Sequence, residues 1–423
     1  MNRAAREHII EGARALLLHN RKTGVAAIGG RNFDYCYTCP SPGKYPHQWL
    51  WDSCFHVIVL SRFDPEAASR ELANLFHGMR PNGFMPNMLL WEGTHSPIER
   101  LLTSLFASGG TSNITQPPVT ALALEALFSH SGETEFLRRY LPYVKRHFGW
   151  LETHRDPDGD GLVSVIHPWE TGVDASPSFD SVVGWQGARP HPFKVYRGLC
   201  GLLVKYRSMG WNEARILASN AFNVESVMFN CIYAQGLRAI ARLCQALGDA
   251  DGTASYNGRA DRVEQAILEQ CWNEEAGLFF DLAGPNNRPL KVHTISSLFP
   301  IILDTIPEEM AERLVHDHLL DEAAFWTPFP LPSVSRREPA FNPANSRLLW
   351  RGPTWLNTNW FLVRGLQKHG YGDAARELAQ RSVRLVEQAG FWEFYNPLTG
   401  EPGGQPSFAW STLSVDLLDY LDS

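Results

Sequence analysis

No apolar run in the 423 residues approaches the length of a membrane span. The first one, Leu16-Leu17-Leu18, stops at once at His19-Asn20-Arg21-Lys22, too short for a secretion signal. Positive charge is not in excess either: 38 Lys and Arg face 45 Asp and Glu, a net charge of −7. Neither nucleic acid nor an anionic membrane is therefore expected as the main partner. Cysteine is sparse and odd in number, seven in all, and Cys200, Cys231 and Cys244 fall inside helical apolar patterns. They read as buried thiols of a cytoplasmic protein. Cys36 and Cys39 have the spacing of a metal or redox pair but no second such pair to complete a site. The phosphate-cradling P-loop, the HExxH zinc helix and the dinucleotide fingerprint are all missing, so neither an organic cofactor nor a catalytic metal is expected.

What the chain has is apolar mass and tryptophan. Hydrophobic residues make up 44%, enough for a large core. Apolar positions recur at i, i+3, i+4 and i+7 in about a dozen stretches. These predict helices over 3–20, 49–62, 65–77, 117–130, 133–155, 193–209, 223–247, 253–272, 306–319, 354–369, 373–388 and 407–421. Short turns alternate with long loops rich in Pro, Gly and Trp, over 24–47, 80–115, 156–192, 325–353 and 390–406. That rhythm predicts an all-α fold, an (α/α)6 barrel of six inner and six outer helices, with 1–423 as a single domain. The long loops would converge on a central pocket at one end.

Among the 14 tryptophans, Trp49, Trp51, Trp350, Trp355 and Trp392 stand beside polar motifs rather than along helical stripes. Most tryptophans anchor cores; several beside carboxylates favour a carbohydrate site. Four segments on the long loops carry the candidates. In Tyr45-Pro-His-Gln-Trp49-Leu-Trp51-Asp52, the acid could bind two hydroxyls of one sugar or serve only as an acid at a helix start. Gln116 precedes Pro117-Pro118 at another helix start. In His167-Pro-Trp169-Glu170-Thr-Gly172-Val-Asp174, an acid sits on a Gly-containing turn beside an indole. Desolvation there would raise the carboxyl pKa enough to hold a proton at neutral pH. Glu393, between Trp392 and Phe394-Tyr395, is an acid inside an aromatic run, costly unless paired or used. Arg351, between Trp350 and Trp355, would either pair an acid structurally or orient a carboxylate. Two carboxylates on separate loops meet the minimum for glycoside hydrolysis, but spacing does not choose a pair from 45 acids.

Taken in order, the segments Tyr45–Ser53, Glu170-Thr-Gly-Val-Asp174, Trp350-Arg-Gly-Pro-Thr-Trp355 and Glu393-Phe-Tyr-Asn-Pro397 resemble glycoside hydrolase family 63 and its trehalase relatives. They span roughly 45–410. The resemblance implies an (α/α)6 barrel and an inverting, exo-acting hydrolase, with Asp174 as general acid and Glu393 as general base. It implies a sugar pocket lined by Tyr45, Trp49, Trp51, Asp52, Gln116, Trp169, Gly172, Trp350 and Trp355. A lone barrel of this length is most similar to the bacterial mannosylglycerate and glucosylglycerate hydrolases. Leu349 departs from them, standing where an aromatic is common in the glucosylglycerate enzymes. A glycerate carboxylate would need a cation, for which Arg189, Arg197, Arg337 and Arg351 are candidates.

The expected partner is thus a small carbohydrate, with a homo-oligomer left open. Alternatives are a trehalase-like or oligosaccharide α-glucosidase, a sugar epimerase on the same barrel, and a non-catalytic sugar-binding protein. An epimerase would use histidine bases, and His47, His167 and His191 show no recognisable pairing. A binding protein would have lost one acid, and both are present. Asp156-Pro-Asp158-Gly-Asp160 resembles the start of a calcium loop, but its twelfth position is His167 rather than Glu.

Overall fold

The computed structural model describes residues 1, 3–94, 96–185, 187–344 and 347–421. Six helical segments meet side by side in a closed ring: Leu50–Leu60, Thr120–Ser131, Val227–Ala246, Ile295–Ile302, Leu356–Lys368 and the run of short turns from Ala409 to Leu421. Each touches the next, and the last touches the first. Leu50–Leu60 is buried along its whole length and Val227–Ala246 nearly so, as helices surrounded on all sides must be.

Outside them lie Pro65–His77, Thr134–His154, Ala250–Ala266, Glu308–Leu319 and Gly372–Ala389, each following its inner partner along the chain. The sixth outer helix, Arg3–His19, comes from the other end of the chain and packs on the last inner segment. These outer helices bury one face only; Gly372–Ala389 buries Ala375, Leu378, Ala379, Ser382, Val383, Leu385 and Val386. Their ends carry legible signals. Asp64 accepts the Ala67 N–H at 3.0 Å with Pro65 at the first helical position, and Asp249 accepts the Gly252 N–H at 2.8 Å.

The (α/α)6 barrel is therefore present, but two of its parts differ from expectation. The predicted helix at 193–209 exists as Pro192–Ser208, yet it stands outside the ring, inside a long loop. Its place among the inner helices is taken by Ile295–Ile302, a 3-10 segment buried throughout. A stretch of only eight residues with Pro300 inside it is too short to read as a helix from its pattern, so the pattern passes over it. The expected loop 24–47 is largely a β-hairpin, Arg21–Ile28 against Arg31–Thr38, turning at Gly29-Gly30, both with positive φ. Among the described residues no helix is long and apolar enough to cross a membrane.

Candidate active site

The inner helices present their N-terminal ends to one face of the ring, and the long loops fold over that face. A cavity of about 470 Å³ opens there, lined by Pro40, Tyr45, Trp49, Trp51, Asp52, Gln116, Gly172, Asp174, Leu349, Trp350, Trp355, Glu393, Phe408 and Trp410. The aromatic wall is continuous. Trp350 and Trp355 stack at 3.9 Å with planes 7° apart, and Trp410 meets both Trp51 and Trp355 edge-on. Trp350 holds a left-handed backbone, φ +68°, a strained state for a bulky residue that the stack keeps in place.

The Asp174 turn is built by local hydrogen bonds. Nδ1 of His167 accepts the Trp169 N–H at 3.1 Å, opening a 3-10 turn over Pro168–Glu170. The Thr171 hydroxyl donates to the Pro168 carbonyl and accepts the Val173 N–H. Gly172 then takes φ +81° against Trp51, where a Cβ would lie 2.6 Å from the indole. Only glycine fits this position.

Glu170, the acid that precedes Asp174, does not face the cavity. It is fully buried and held by both guanidinium nitrogens of Arg155, at 2.7 and 2.8 Å, and by the N–H groups of Thr115 and Ile166. This one carboxylate ties the Asp174 turn to the Gln116 segment. Gln116 in turn accepts the Trp51 N–H through its side-chain oxygen at 3.3 Å.

Glu393 lies on a two-stranded hairpin, Trp392–Tyr395 against Pro402–Pro406. The Tyr45 hydroxyl donates to Oε1 at 3.1 Å, and the Gln405 N–H donates to Oε2 at 2.9 Å. Gly404 (φ +75°) brings the second strand so close that a Cβ would stand 2.4 Å from Oε2. The indole of Trp410 holds the Glu393 main-chain carbonyl at 3.1 Å.

The two acids differ in what surrounds their charge. Burial, and then the negative field of Glu393, pushes Asp174 up to about 7. Burial also raises Glu393, but Lys44, the Tyr45 hydroxyl and the Gln405 N–H all work against it. Asp174 thus keeps a proton near neutrality, while Glu393 has donors arranged around its charged form. Asp52, in the first turn of Leu50–Leu60, is raised by burial and by both of these carboxylates. A site with one acid raised to about 7 and another whose charged form is met by donors, facing a common cavity, can give a proton on one side and take one on the other.

Residues 45–411 match the model of the mannosylglycerate hydrolase MGH1-like glycoside hydrolase domain. The chain belongs to this family. It is a glycoside hydrolase. Its relatives include a mannosylglycerate hydrolase of Thermus thermophilus, 32% identical over 90% of this chain and 96% of that one. The glucosylglycerate hydrolase of Mycolicibacterium hassiacum is 27% identical over 91% of this chain and 94% of its own. Among solved structures, a family 63 mannosylglycerate hydrolase from another strain of Thermus thermophilus, in complex with Tris and D-glycerate, superposes with a TM-score of 0.85. That match has 29% identity and covers 96% of this chain and 99% of that one.

Of the residues expected in the pocket of this family member, the structure brings together Tyr45, Trp49, Trp51, Asp52, Gln116, Gly172, Asp174, Trp350, Trp355 and Glu393. Two others stand elsewhere. Trp169 packs edge-on against Phe106 and His167, behind the lining. Arg351 is buried and spends its guanidinium on both oxygens of Asp180. Its structural alternative holds, because a bidentate buried pair leaves little to offer a substrate. Phe408 and Trp410 line the cavity unforeseen. Their spacing of two repeats that of Trp49 and Trp51 and is the available signal, but the stretch reads more simply as the start of the last helix.

Asp156, Asp158 and Asp160 do converge, with ligand atoms within 4.8 Å of one another, and none lines the cavity. The Asp156 carboxylate is already occupied by the N–H groups of Gly159, Asp160 and Gly161. His167, at the twelfth position, uses both ring nitrogens, on Trp169 and on the Leu199 carbonyl, so it adds no ligand.

Proposed function

We propose that the protein is an inverting, exo-acting α-glycosidase that cleaves a sugar joined to glycerate, mannosylglycerate or glucosylglycerate, into free sugar and glycerate. Asp174 gives its proton to the bridging oxygen as the bond to the anomeric carbon breaks. Glu393 takes a proton from the water that attacks the opposite face of that carbon. The observation that carries this is the division of proton affinity across one aromatic cavity. Asp174 is raised to about 7 and has no ion pair among the described residues, and Glu393 accepts hydrogen bonds from the Tyr45 hydroxyl and the Gln405 N–H.

Asp52, low in the cavity beside Trp51 and Gln116, is suited to bind hydroxyls of the terminal sugar, and Trp350 offers an indole face for stacking. The choice of glycerate conjugates is supported by the relatives, whose names carry both sugars. A cytoplasmic enzyme is part of the same reading, supported by seven cysteines that are all free thiols.

The test is hydrolysis of mannosylglycerate, glucosylglycerate, trehalose and a short α-gluco-oligosaccharide, with NMR of the first anomer released. Fast release of the β-sugar from a glycerate conjugate is expected, and the faster conjugate names the sugar. First release of the α-anomer would overturn inversion. Cleavage of trehalose alone would replace the glycerate reading with the trehalase-like one.

A further inference from the structure

Three carboxylates, Asp52, Asp174 and Glu393, face one cavity, and none has an ion pair among the described residues. They do not ionise independently, because each charge raises the cost of the next. Burial and then the charge of Glu393 raise Asp174; burial, Glu393 and Asp174 raise Asp52. Tyr45 and Tyr196 also face both working acids. Burial first, and then those charges, keep their hydroxyls protonated. The reaction requires that Glu393 be the acid that loses its proton, so the site needs an asymmetry in its favour.

Two neighbours of Glu393 are neutral donors, the Tyr45 hydroxyl at 3.1 Å and the Gln405 N–H at 2.9 Å. The third is a charge. Lys44 lies in a tight turn from Ser41 to Tyr45, closed by the Tyr45 N–H on the Ser41 carbonyl at 2.9 Å. That turn is fixed to the Glu393 hairpin and to the chain just after it. Ser41 Oγ donates to the Pro406 carbonyl at 3.1 Å, Asn20 donates to the carbonyls of Cys39, Pro40 and Ser407, and the Ala409 N–H donates to the Pro40 carbonyl at 2.8 Å. The Lys44 ammonium lies 5.0 Å from the centre of the Tyr45 ring, whose hydroxyl is the donor to Glu393. It is exposed and makes no ion pair among the described residues, so its charge is not spent on another acid. Against the burial that raises Glu393, that charge works more strongly than either hydrogen bond, and Lys44 is not one of the groups that shift Asp174. Arg351 is spent on Asp180, and Arg197, beside Tyr196 in the chain, is exposed and shifts neither acid.

We propose that Lys44 is a positioning residue for the base: its ammonium makes Glu393 the first of the three cavity carboxylates to ionise and so sets the lower pH limit of the reaction. The inference rests on Glu393 as the general base. Lys44 acts through its field at Glu393 and takes part in no proton transfer. Because the lysine is exposed, solvent weakens that field, and the effect is a displaced pH profile rather than a loss of turnover.

The experiment follows kcat/KM against pH on the faster glycerate conjugate, at low ionic strength, for the wild type, Lys44→Arg, Lys44→Gln and Lys44→Glu. The acid limb reports Glu393 in the free enzyme. Each positive charge removed should raise its midpoint by about half a pH unit, the size expected of one exposed charge acting through solvent. Lys44→Gln should therefore move the limb by about 0.5, Lys44→Glu by about 1, and Lys44→Arg should leave it in place. In about 1 M salt, where the screening length is about 3 Å, the four midpoints should coincide. The alkaline limb near 7 should move much less. A general loss of packing would neither follow charge nor vanish in salt. An acid limb that stays put in Lys44→Glu, in a protein whose Glu393→Gln variant is inactive, would overturn the assignment and leave the base standing. A shift that persists at high salt would overturn it as well. Wild-type turnover in Glu393→Gln, or a wild type inactive on both conjugates, would remove the base reading and this inference with it.

Discussion

The two mouths of the barrel hold the same number of acids and treat them oppositely. At the N-terminal ends of the inner helices Asp52, Asp174 and Glu393 face a cavity of about 470 Å³, and none of them has an ion pair among the described residues. At the C-terminal ends Glu125, Asp304 and Asp416 face a larger cavity, about 1340 Å³, and each is matched with a cation. Arg242 holds Glu125, Lys368 holds Asp304, and Arg62 holds Asp416 at 2.8 Å. Lys368 also reaches the Ile302 carbonyl at 2.7 Å, where the end of an inner helix leaves carbonyls without partners. The larger hole is thus closed electrostatically, and the smaller one is left unbalanced. Uncompensated carboxylates, rather than volume, mark the working end.

The contrast breaks most sharply on removal of the working acids. Glu393→Gln should abolish turnover, a loss of about 10³-fold or more, while a bound sugar ligand is retained. Asp174→Asn should cost a similar factor on substrates with poor leaving groups and far less on activated aryl glycosides, which need no proton. A single pH profile joins the two. Because Asp174 works protonated, the wild-type rate should fall as pH rises through about 7, and that limb should vanish in Asp174→Asn on an activated substrate. Equal loss on all leaving groups would overturn Asp174 as the acid.

Next in size is the brace behind the Asp174 turn. Arg155 and Glu170 are both buried, and Arg155→Met would strand a carboxylate that also collects the N–H groups of Thr115 and Ile166. Breaking such a pair from one side costs about 3–5 kcal/mol. Chemical denaturation should show that loss, and Arg155→Met together with Glu170→Met should recover part of it. A double variant no more stable than the single one would mean that Glu170 works mainly through its backbone contacts.

How far the sequence foretells this site depends on what kind of order each part uses. Asp52, Asp174 and Glu393 are legible because acids beside indoles on Pro- and Gly-rich loops have few structural reasons to be there, and the resemblance then chooses among them. Arg351 is ambiguous for a physical reason. Its partner Asp180 lies 171 residues away, and only the fold brings the two together. The inner segment Ile295–Ile302 escapes because eight residues interrupted by Pro300 are too few to establish a helical period. Partners close in sequence leave marks, as at the Asp64 cap, and partners met only in three dimensions do not.

The smallest expected effect is a difference in sign. Asp174 is raised in the folded protein above its unfolded value, so folding binds its proton more tightly, and its contribution to stability is lost as pH rises toward and through about 7. Asp174→Asn removes a carboxylate that is costly to ionise. At pH 8 it should therefore raise stability by up to about 4 kcal/mol, an upper bound from the linkage relation. At the opposite mouth burial works to raise Asp304, but Lys368 and Gln235 outweigh it and hold the carboxyl below its ordinary value. That contribution is present above the unfolded carboxylate pKa and lost as pH falls through the folded one. Lys368→Met should therefore lower stability at pH 8 by only about 0.5–1 kcal/mol, since the pair is partly exposed, and should leave kcat unchanged. Thermal melts of the two variants at pH 5 and pH 8 give the comparison directly: at pH 8 Asp174→Asn moves Tm up and Lys368→Met moves it down. A melt in which Asp174→Asn lowers Tm at pH 8 would show the working acid to be held by contacts that favour its charge, and the two mouths would then be alike.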